Sequence, residues 1–216
     1  MPKQTFYNLN EAKRNAIVKA SIEEFSIHTY NEASVNTIVE RSGISKGSLY
    51  QYFEDKKDIC LYLIEYAGQA KLEYLQSHSP INIDDFYEGL CTLMIQGTQF
   101  SLQNPLYSRL LYKAFEGPLV DESIARLKEL NREYMTRLVS EAMEKSEIRN
   151  DAATDVMVFF LNALTTEFAQ FVAEKAGISW DQVYRNQKAL SQLDIPAAIR
   201  DLMKLVKHGL APVKNH

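Results

Sequence analysis

From about residue 10 onward, almost every segment of this chain brings apolar residues back at intervals of three and four. No stretch alternates apolar and polar residues convincingly over the length of a strand, so the pattern is that of helices packed by one face. An all-α protein is expected. Its 216 residues are long enough to bury a substantial core, and eight Gly with six Pro leave little room for low-complexity sequence. The breaks are well marked. Asn8 or Asn10 is placed to cap a first helix running to about His28, with Ile17, Ala20 and Phe25 near one face. Ser34 caps a short second helix that Gly43 closes, and Ser45 caps a third. A helix from Lys56 to about Ser77 follows. Asp84 and Asp85 favour the start of the next, which ends at Asn104-Pro105. Further helices are expected over Leu106–Phe115, Asp121–Ser146 and Ala152–Ala176, with a last one from Pro196; Ile178–Leu193 reads as helical but irregular.

Charge and composition narrow the chemistry. The net charge is −4, and residues 1–60 balance eight Lys and Arg against eight Asp and Glu, which argues against nonspecific coating of nucleic acid but not against a local contact patch. Cys60 and Cys91 lie in separate helical patterns without Cys-x-x-Cys spacing, and His28, His78, His208 and His216 are scattered. Neither a disulfide framework nor a metal site is expected, and no cofactor is implied. No nucleophile–base pair or Gly-rich phosphate loop is apparent, so the chain does not read as an enzyme. The polar N-terminus and the lack of an apolar run of membrane-spanning length point to a cytoplasmic protein without membrane contact.

Residues 34–53, SVNTIVERSGISKGSLYQYF, place a short helix, a Gly-containing turn and a second short helix in sequence. At 100° per residue, Leu49 and Phe53 share a side and can pack on Ile38, Val39 and Phe25. The opposite arc carries Gly47 and Gln51, flanked by Ser48 and Tyr50, a slim face suited to the major groove of DNA. Gly47 weakens a helix by about 0.5–1 kcal/mol relative to Ala, which makes sense where a backbone must approach another surface closely. By itself, a Ser-capped helix pair with a Gly turn fits a structural element of an all-α protein as well as it fits a DNA reader.

The run from Ile44 to Phe53, ISKGSLYQYF, followed by Lys56-Lys57-Asp58, resembles the signature of TetR-type regulators, with a position-by-position likeness from Ile17 to Leu63. Two departures, Thr29 where Gly is common and Val39 where Ala is common, lie outside the reading helix. The resemblance implies an N-terminal three-helix helix-turn-helix DNA-binding domain, residues 1–55. Behind it would stand a larger helical-bundle domain, residues 56–216, for ligand binding and dimerisation. It also implies that Ser45 to Tyr52 enter the major groove, with Lys46, Ser48 and Gln51 nearest base edges and Gly47 permitting the approach. Ser34, Thr37, Tyr50, Tyr52 and Lys56 would hold phosphates; Lys3, Lys13 and Arg14 would add arm or backbone contacts. Tyr52 lies close to the Leu49 side, where a ring packs as readily as it meets a phosphate, and Lys56 can equally be solvated.

The segment Asp155–Val172 is apolar over more than one stripe, since Met157, Phe160, Leu164 and Phe171 point different ways, so it needs burial on two sides. The last helix, with Leu205 among its apolar residues, is a second candidate for that role. The resemblance implies a four-helix homodimer interface from these two helices of each subunit, here Met157, Leu161, Leu164, Phe171, Ile199, Leu202, Met203 and Val206. A dimer would present two reading helices to an inverted-repeat operator of double-stranded DNA. The resemblance also implies a pocket for a small-molecule effector. Met94, Phe100, Tyr107, Phe115, Tyr134, Phe160 and Phe168 are the candidates to line it, and each is equally a candidate for ordinary core. The expected function is repression relieved by an apolar or amphipathic ligand. The alternatives are an activator and a DNA-binding regulator or adaptor without a ligand.

Overall fold

The computed structural model describes residues 1–78, 85–175, 177 and 194–210. Among these there is no strand, and the helices are α1 (Gln4–Tyr7), α2 (Glu11–Ile27), α3 (Val35–Ser42), α4 (Lys46–Tyr52), α5 (Lys56–His78), α6 (Phe86–Gln103), α7 (Pro105–Lys113), α8 (Val120–Glu144), α9 (Thr154–Lys175) and α10 (Ile195–Leu210). The all-α expectation holds. Local caps set most of these starts. The Asn10 side chain accepts from the Lys13 amide at 2.9 Å, Asp55 from Asp58 at 2.7 Å, Asp85 from Tyr87 at 2.7 Å and Asp194 from Ala197 at 3.0 Å. Pro105 opens α7, where its missing N–H costs no helical bond. Asp84 and the segment Ile178–Leu193 lie outside the described residues.

The chain divides into two compact units. The first comprises Met1–Ala70 and Asn104–Leu130. Its core is Phe6, Ile17, Val18, Ile22, Phe25, Ile38, Leu49, Phe53, Ile59, Leu63 and Leu110, with α2 packed on both α3 and α7. The second comprises Lys71–Gln103 and Asn131–His216. There α6 packs on α10, and Phe86, Leu90, Met94, Phe100, Met135, Val139, Ile148, Met157, Leu161, Ile199 and Val206 are buried. The Glu147 carboxylate accepts from the Phe86 amide at 3.0 Å, and Arg149 donates to the Gly209 carbonyl at 3.2 Å while pairing with Asp151.

The second unit divides the residues expected at the dimer face into covered and outward ones. Met157, Leu161, Ile199, Met203 and Val206 are buried within the unit itself, and Leu164 and Leu202 are half-buried; only Phe171 of that set is exposed. The outward apolar residues are instead Val156, Phe159, Phe160 and Phe171 of α9 and Leu205 of α10, with Phe159 70% and Leu205 72% exposed. The physical reason is the composition of α9, which is apolar all round, so either side was able to serve as the inward one. The residues expected to line a pocket fall in both units. Met94, Phe100, Tyr134 and Phe168 are buried in the second unit, while Phe160 is at its surface. Tyr107 and Phe115 belong to the first unit, Tyr107 edge-on to Tyr66 with centroids 6.1 Å apart and Phe115 exposed. Among the described residues, no helix is long and apolar enough to cross a membrane.

Candidate nucleic-acid interface

Helices α3 and α4 are assembled by short-range chemistry. The Ser34 hydroxyl accepts from the Thr37 amide at 3.3 Å, while the Ser34 amide donates to Glu24 Oε1 at 2.8 Å. Glu24 is a buried carboxylate on α2, so it ties the start of α3 to the helix behind it. Gly43 ends α3 with φ +69°, a left-handed conformation that residues with a β-carbon adopt at a cost. Its successor Ile44 donates back to the Val39 carbonyl at 3.1 Å, completing the turn. The Ser45 hydroxyl then accepts from the Ser48 amide at 3.1 Å and shares a hydrogen bond of 2.8 Å with the Ser48 hydroxyl.

Leu49 and Phe53 anchor α4 from behind, 0% and 1% exposed, in the same cluster as Ile38 and Phe25. Lys46, Gly47, Tyr50 and Gln51 are exposed on its free side, with Ser45 exposed at its cap and Ser48 half-buried. Ser34 and Thr37 are half-buried at the start of α3. Tyr52 takes the packing alternative: it is 6% exposed, in the core, with its ring 6.3 Å from that of Phe6. Lys56 is neither simply solvated nor free to reach outward. Its ammonium donates to the carbonyls of Asn31 at 3.2 Å and Ala33 at 3.1 Å and lies 4.8 Å from the centre of the Tyr30 ring. It holds the α2–α3 loop in place.

The support at the other end of α4 was not expected from the sequence analysis above. The last carbonyls of a helix lack intrahelical donors, and here three are met from the N-terminal segment. The Lys3 amide donates to Tyr52 at 2.8 Å, the Lys3 ammonium to Tyr50 at 3.1 Å and the Thr5 hydroxyl to Gln51 at 2.6 Å. Phe6, fully buried, fixes this segment by its ring contacts with Phe53 at 4.9 Å and Tyr62 at 5.4 Å. Arg14 donates to the Tyr7 carbonyl at 3.3 Å, and the Lys13 ammonium lies 5.8 Å from the centre of the Tyr52 ring. The three cations expected on DNA are therefore engaged within the unit. The signal that points to this arrangement is the Phe-Tyr pair just ahead of the Asn10 cap, since an apolar residue before a helix commonly packs back onto the fold.

Burial also sets the titration of the groups behind α4. It pushes the Cys60 thiol and the Tyr62 phenol each up to about 12, and it raises Tyr30, where the carboxylate of Asp55 adds to the effect. None of these is poised for acid–base work near neutrality. Among the described residues, no group of His, Cys, Asp and Glu is arranged to hold a metal ion.

A two-helix element with a bare outer face is what known DNA readers share, and the comparisons agree. A sequence profile of bacterial regulatory proteins of the tetR family matches residues 17–63. The crystal structure of a TetR family transcriptional regulator from Chloroflexus aurantiacus J-10-FL is 31% identical, with 97% of this chain and 98% of that one covered and a TM-score of 0.69. The chain belongs to the TetR family. It is a DNA-binding transcription regulator, and members of this family are transcription factors, not enzymes. A further relative, an HTH-type transcriptional regulator of Staphylococcus aureus (strain MRSA252), is 28% identical over 82% of this chain and 91% of its own length. The TetR fold is shared with the regulator FadR from Bacillus subtilis in complex with stearoyl-CoA, at 16% identity and a TM-score of 0.65, over 88% of this chain and 96% of that one.

Proposed function

We propose that this TetR-family regulator is a repressor that binds an inverted-repeat operator as a homodimer and leaves it when a small apolar or amphipathic ligand binds. Residues 1–55 read DNA and residues 56–216 pair the subunits and take the ligand. The protein works in the cytoplasm, on its own chromosome.

The observation that carries this reading is the division of α4 into an anchored side and a bare one. Leu49 and Phe53 are sealed in the core, and Lys46, Gly47 and Gln51 stand exposed between a capped start and a buttressed end. Gln51 and Lys46 reach base edges, Ser48 assists from its half-buried position, and Gly47 lets the backbone close on the groove. Ser34, Thr37, Ser45 and Tyr50 meet phosphates through hydroxyls and helix-terminal amides.

Pairing is supported by the outward apolar residues of the second unit. Val156, Phe159, Phe160 and Phe171 on α9 are large apolar side chains left exposed, and a second copy covers them under two-fold symmetry. Dimer symmetry then demands a two-fold operator. The test is a gel-shift titration against the region upstream of the protein's own gene. Preference over random DNA at moderate salt, with a dimer-sized footprint on an inverted repeat, is the expected result; equal affinity for both DNAs refutes it.

A further inference from the structure

The peptide group that leads into α3 is held at both ends by charges of opposite sign. Its carbonyl, that of Ala33, accepts from the Lys56 ammonium at 3.1 Å, and its N–H, that of Ser34, donates to Glu24 Oε1 at 2.8 Å. The cation comes from the first turn of α5 and the carboxylate from the last turn of α2. A peptide group is planar, so holding its oxygen and its nitrogen fixes the plane, and with it the angle at which α3 leaves the loop. Ser34 follows directly, and its hydroxyl caps α3 through the Thr37 amide at 3.3 Å.

Of the two charges, Glu24 is the one that stability alone does not account for. Lys56 also holds the Asn31 carbonyl and lies over the Tyr30 ring. Glu24 is only 2% exposed, and among the described residues its side chain meets the Ser34 amide and, at 4.0 Å, Nε2 of the exposed His28 ring. A carboxylate taken out of water loses more hydration than one amide and a distant imidazole restore, so an apolar side chain of similar volume is commonly as stable in such a place. What the carboxylate adds is direction. An acceptor at the full reach of this side chain turns the Ser34 amide toward α2 and so sets where Ser34 and Thr37 stand on the unit.

We propose that Glu24 is a positioning residue for DNA binding: through the Ser34 amide it holds the start of α3 in the place where Ser34 and Thr37 meet phosphates. This rests on the phosphate contacts proposed above for those two residues. Glu24 itself touches no DNA. It acts by the reach of its oxygen rather than by its charge, since an amide oxygen in the same place would accept the same hydrogen bond. Phosphate contacts carry no sequence information, so loss of this support weakens binding to operator and to random DNA by about the same factor.

The test uses the full-length protein with two DNAs, the region upstream of its own gene and a random fragment of equal length, at a temperature where circular dichroism shows the folded variants to be fully folded. Glu24→Gln keeps the reach without the charge, Glu24→Asp keeps the charge without the reach, and Glu24→Leu removes the acceptor. Gel shift reads affinity, and amide hydrogen exchange reads the Ser34 N–H directly. Glu24→Gln is expected to keep wild-type affinity within a few-fold and the Ser34 amide protected. Glu24→Asp and Glu24→Leu should each lose about tenfold on both DNAs, with faster exchange at Ser34. Wild-type affinity in either of those two overturns the inference. So does a Glu24→Gln as weak as they are, or a failure of both to fold, which would make Glu24 a residue of stability. His28→Ala should bind as the wild type does, because an exposed ion pair contributes little; a tenfold loss there would move the role to that pair. Thr37→Val tests the underlying contact separately and should weaken both DNAs. If it does while Glu24→Asp and Glu24→Leu bind normally, the inference falls and the α3 contacts stand; if Thr37→Val binds as the wild type does, those contacts are themselves refuted.

Discussion

The hydroxyl of Thr5 donates to the backbone carbonyl of Gln51 at 2.6 Å, so the residue proposed to read a base is steadied by a side chain 46 positions earlier. Lys3 does the same for Tyr50 and Tyr52. A helix of seven residues, as α4 is, is too short to be stable alone. Its orientation is therefore set by the caps at Ser45, the anchors Leu49 and Phe53, and this N-terminal buttress.

Thr5→Val removes the buttressing donor without changing charge or size. Specific operator affinity should fall several-fold, while the slope of log K against log salt stays unchanged because no phosphate contact is lost. Lys3→Met should behave alike. If Lys3 instead touched DNA, its slope would drop by about one unit, and a salt titration of both variants distinguishes the two roles.

Lys56→Ala tests a second support. Its ammonium meets two loop carbonyls and the Tyr30 ring, so the loss should appear as a lower melting temperature, about 1–3 kcal/mol for charge-assisted hydrogen bonds. Denaturant unfolding at high salt is the check, because a phosphate-binding lysine would leave the free protein's stability untouched there.

The elements that were legible in the sequence are those whose causes are local. Ser34, Gly43 and Ser45 announce the two short helices because each cap acts within three or four residues, and Asn10 and Pro105 mark starts for the same reason. The side of α4 that faces outward was legible too, since Leu49 and Phe53 are apolar at one-turn spacing and Gly47 and Gln51 oppose them. What was hidden depends on partners far along the chain. Helix α1 is only four residues long and exists because α4 has carbonyls to satisfy. Lys56 looks like any surface lysine until the Asn31 and Ala33 carbonyls fold beside it. In α9 the pattern itself is ambiguous: with Val156, Met157, Val158, Phe159 and Phe160 in succession, no period distinguishes a side for the core from a side for a partner.

That ambiguity gives a sharp pair of variants. Phe159→Glu places a charge on the exposed apolar patch and should turn a dimer into a monomer by light scattering, with weak operator binding as the consequence. Met157→Ala, two residues away and buried, should keep the dimer and cost about 2–5 kcal/mol of stability by opening a cavity. The reverse pattern would return the interface to the other face of α9.

Thiol reactivity reports on the closure of the first unit. Burial holds the Cys60 thiol at about 12, so at pH 8 its thiolate population is on the order of a thousandfold below that of a free cysteine. Cys91 is also raised by burial but only half-covered. Alkylation of the native protein should label Cys91 first, with Cys60 modified only on unfolding, as peptide mapping by mass spectrometry will read out.

Gly47→Ala separates folding from function most cleanly. A β-carbon at position 47 would meet nothing nearer than the Ser45 hydroxyl at 3.9 Å, so alanine fits the free protein without strain. It also removes the conformational entropy that glycine loses in a helix, and the variant should be more stable by about 0.5–1 kcal/mol. On DNA the same methyl group stands on the exposed side of α4 and holds the backbone off the groove. Operator affinity should drop while the melting temperature rises. Two changes of opposite sign from one methyl group are what a surface shaped for a duplex produces; an alanine variant that binds as well as the wild type would mean that α4 is not the helix that enters the groove.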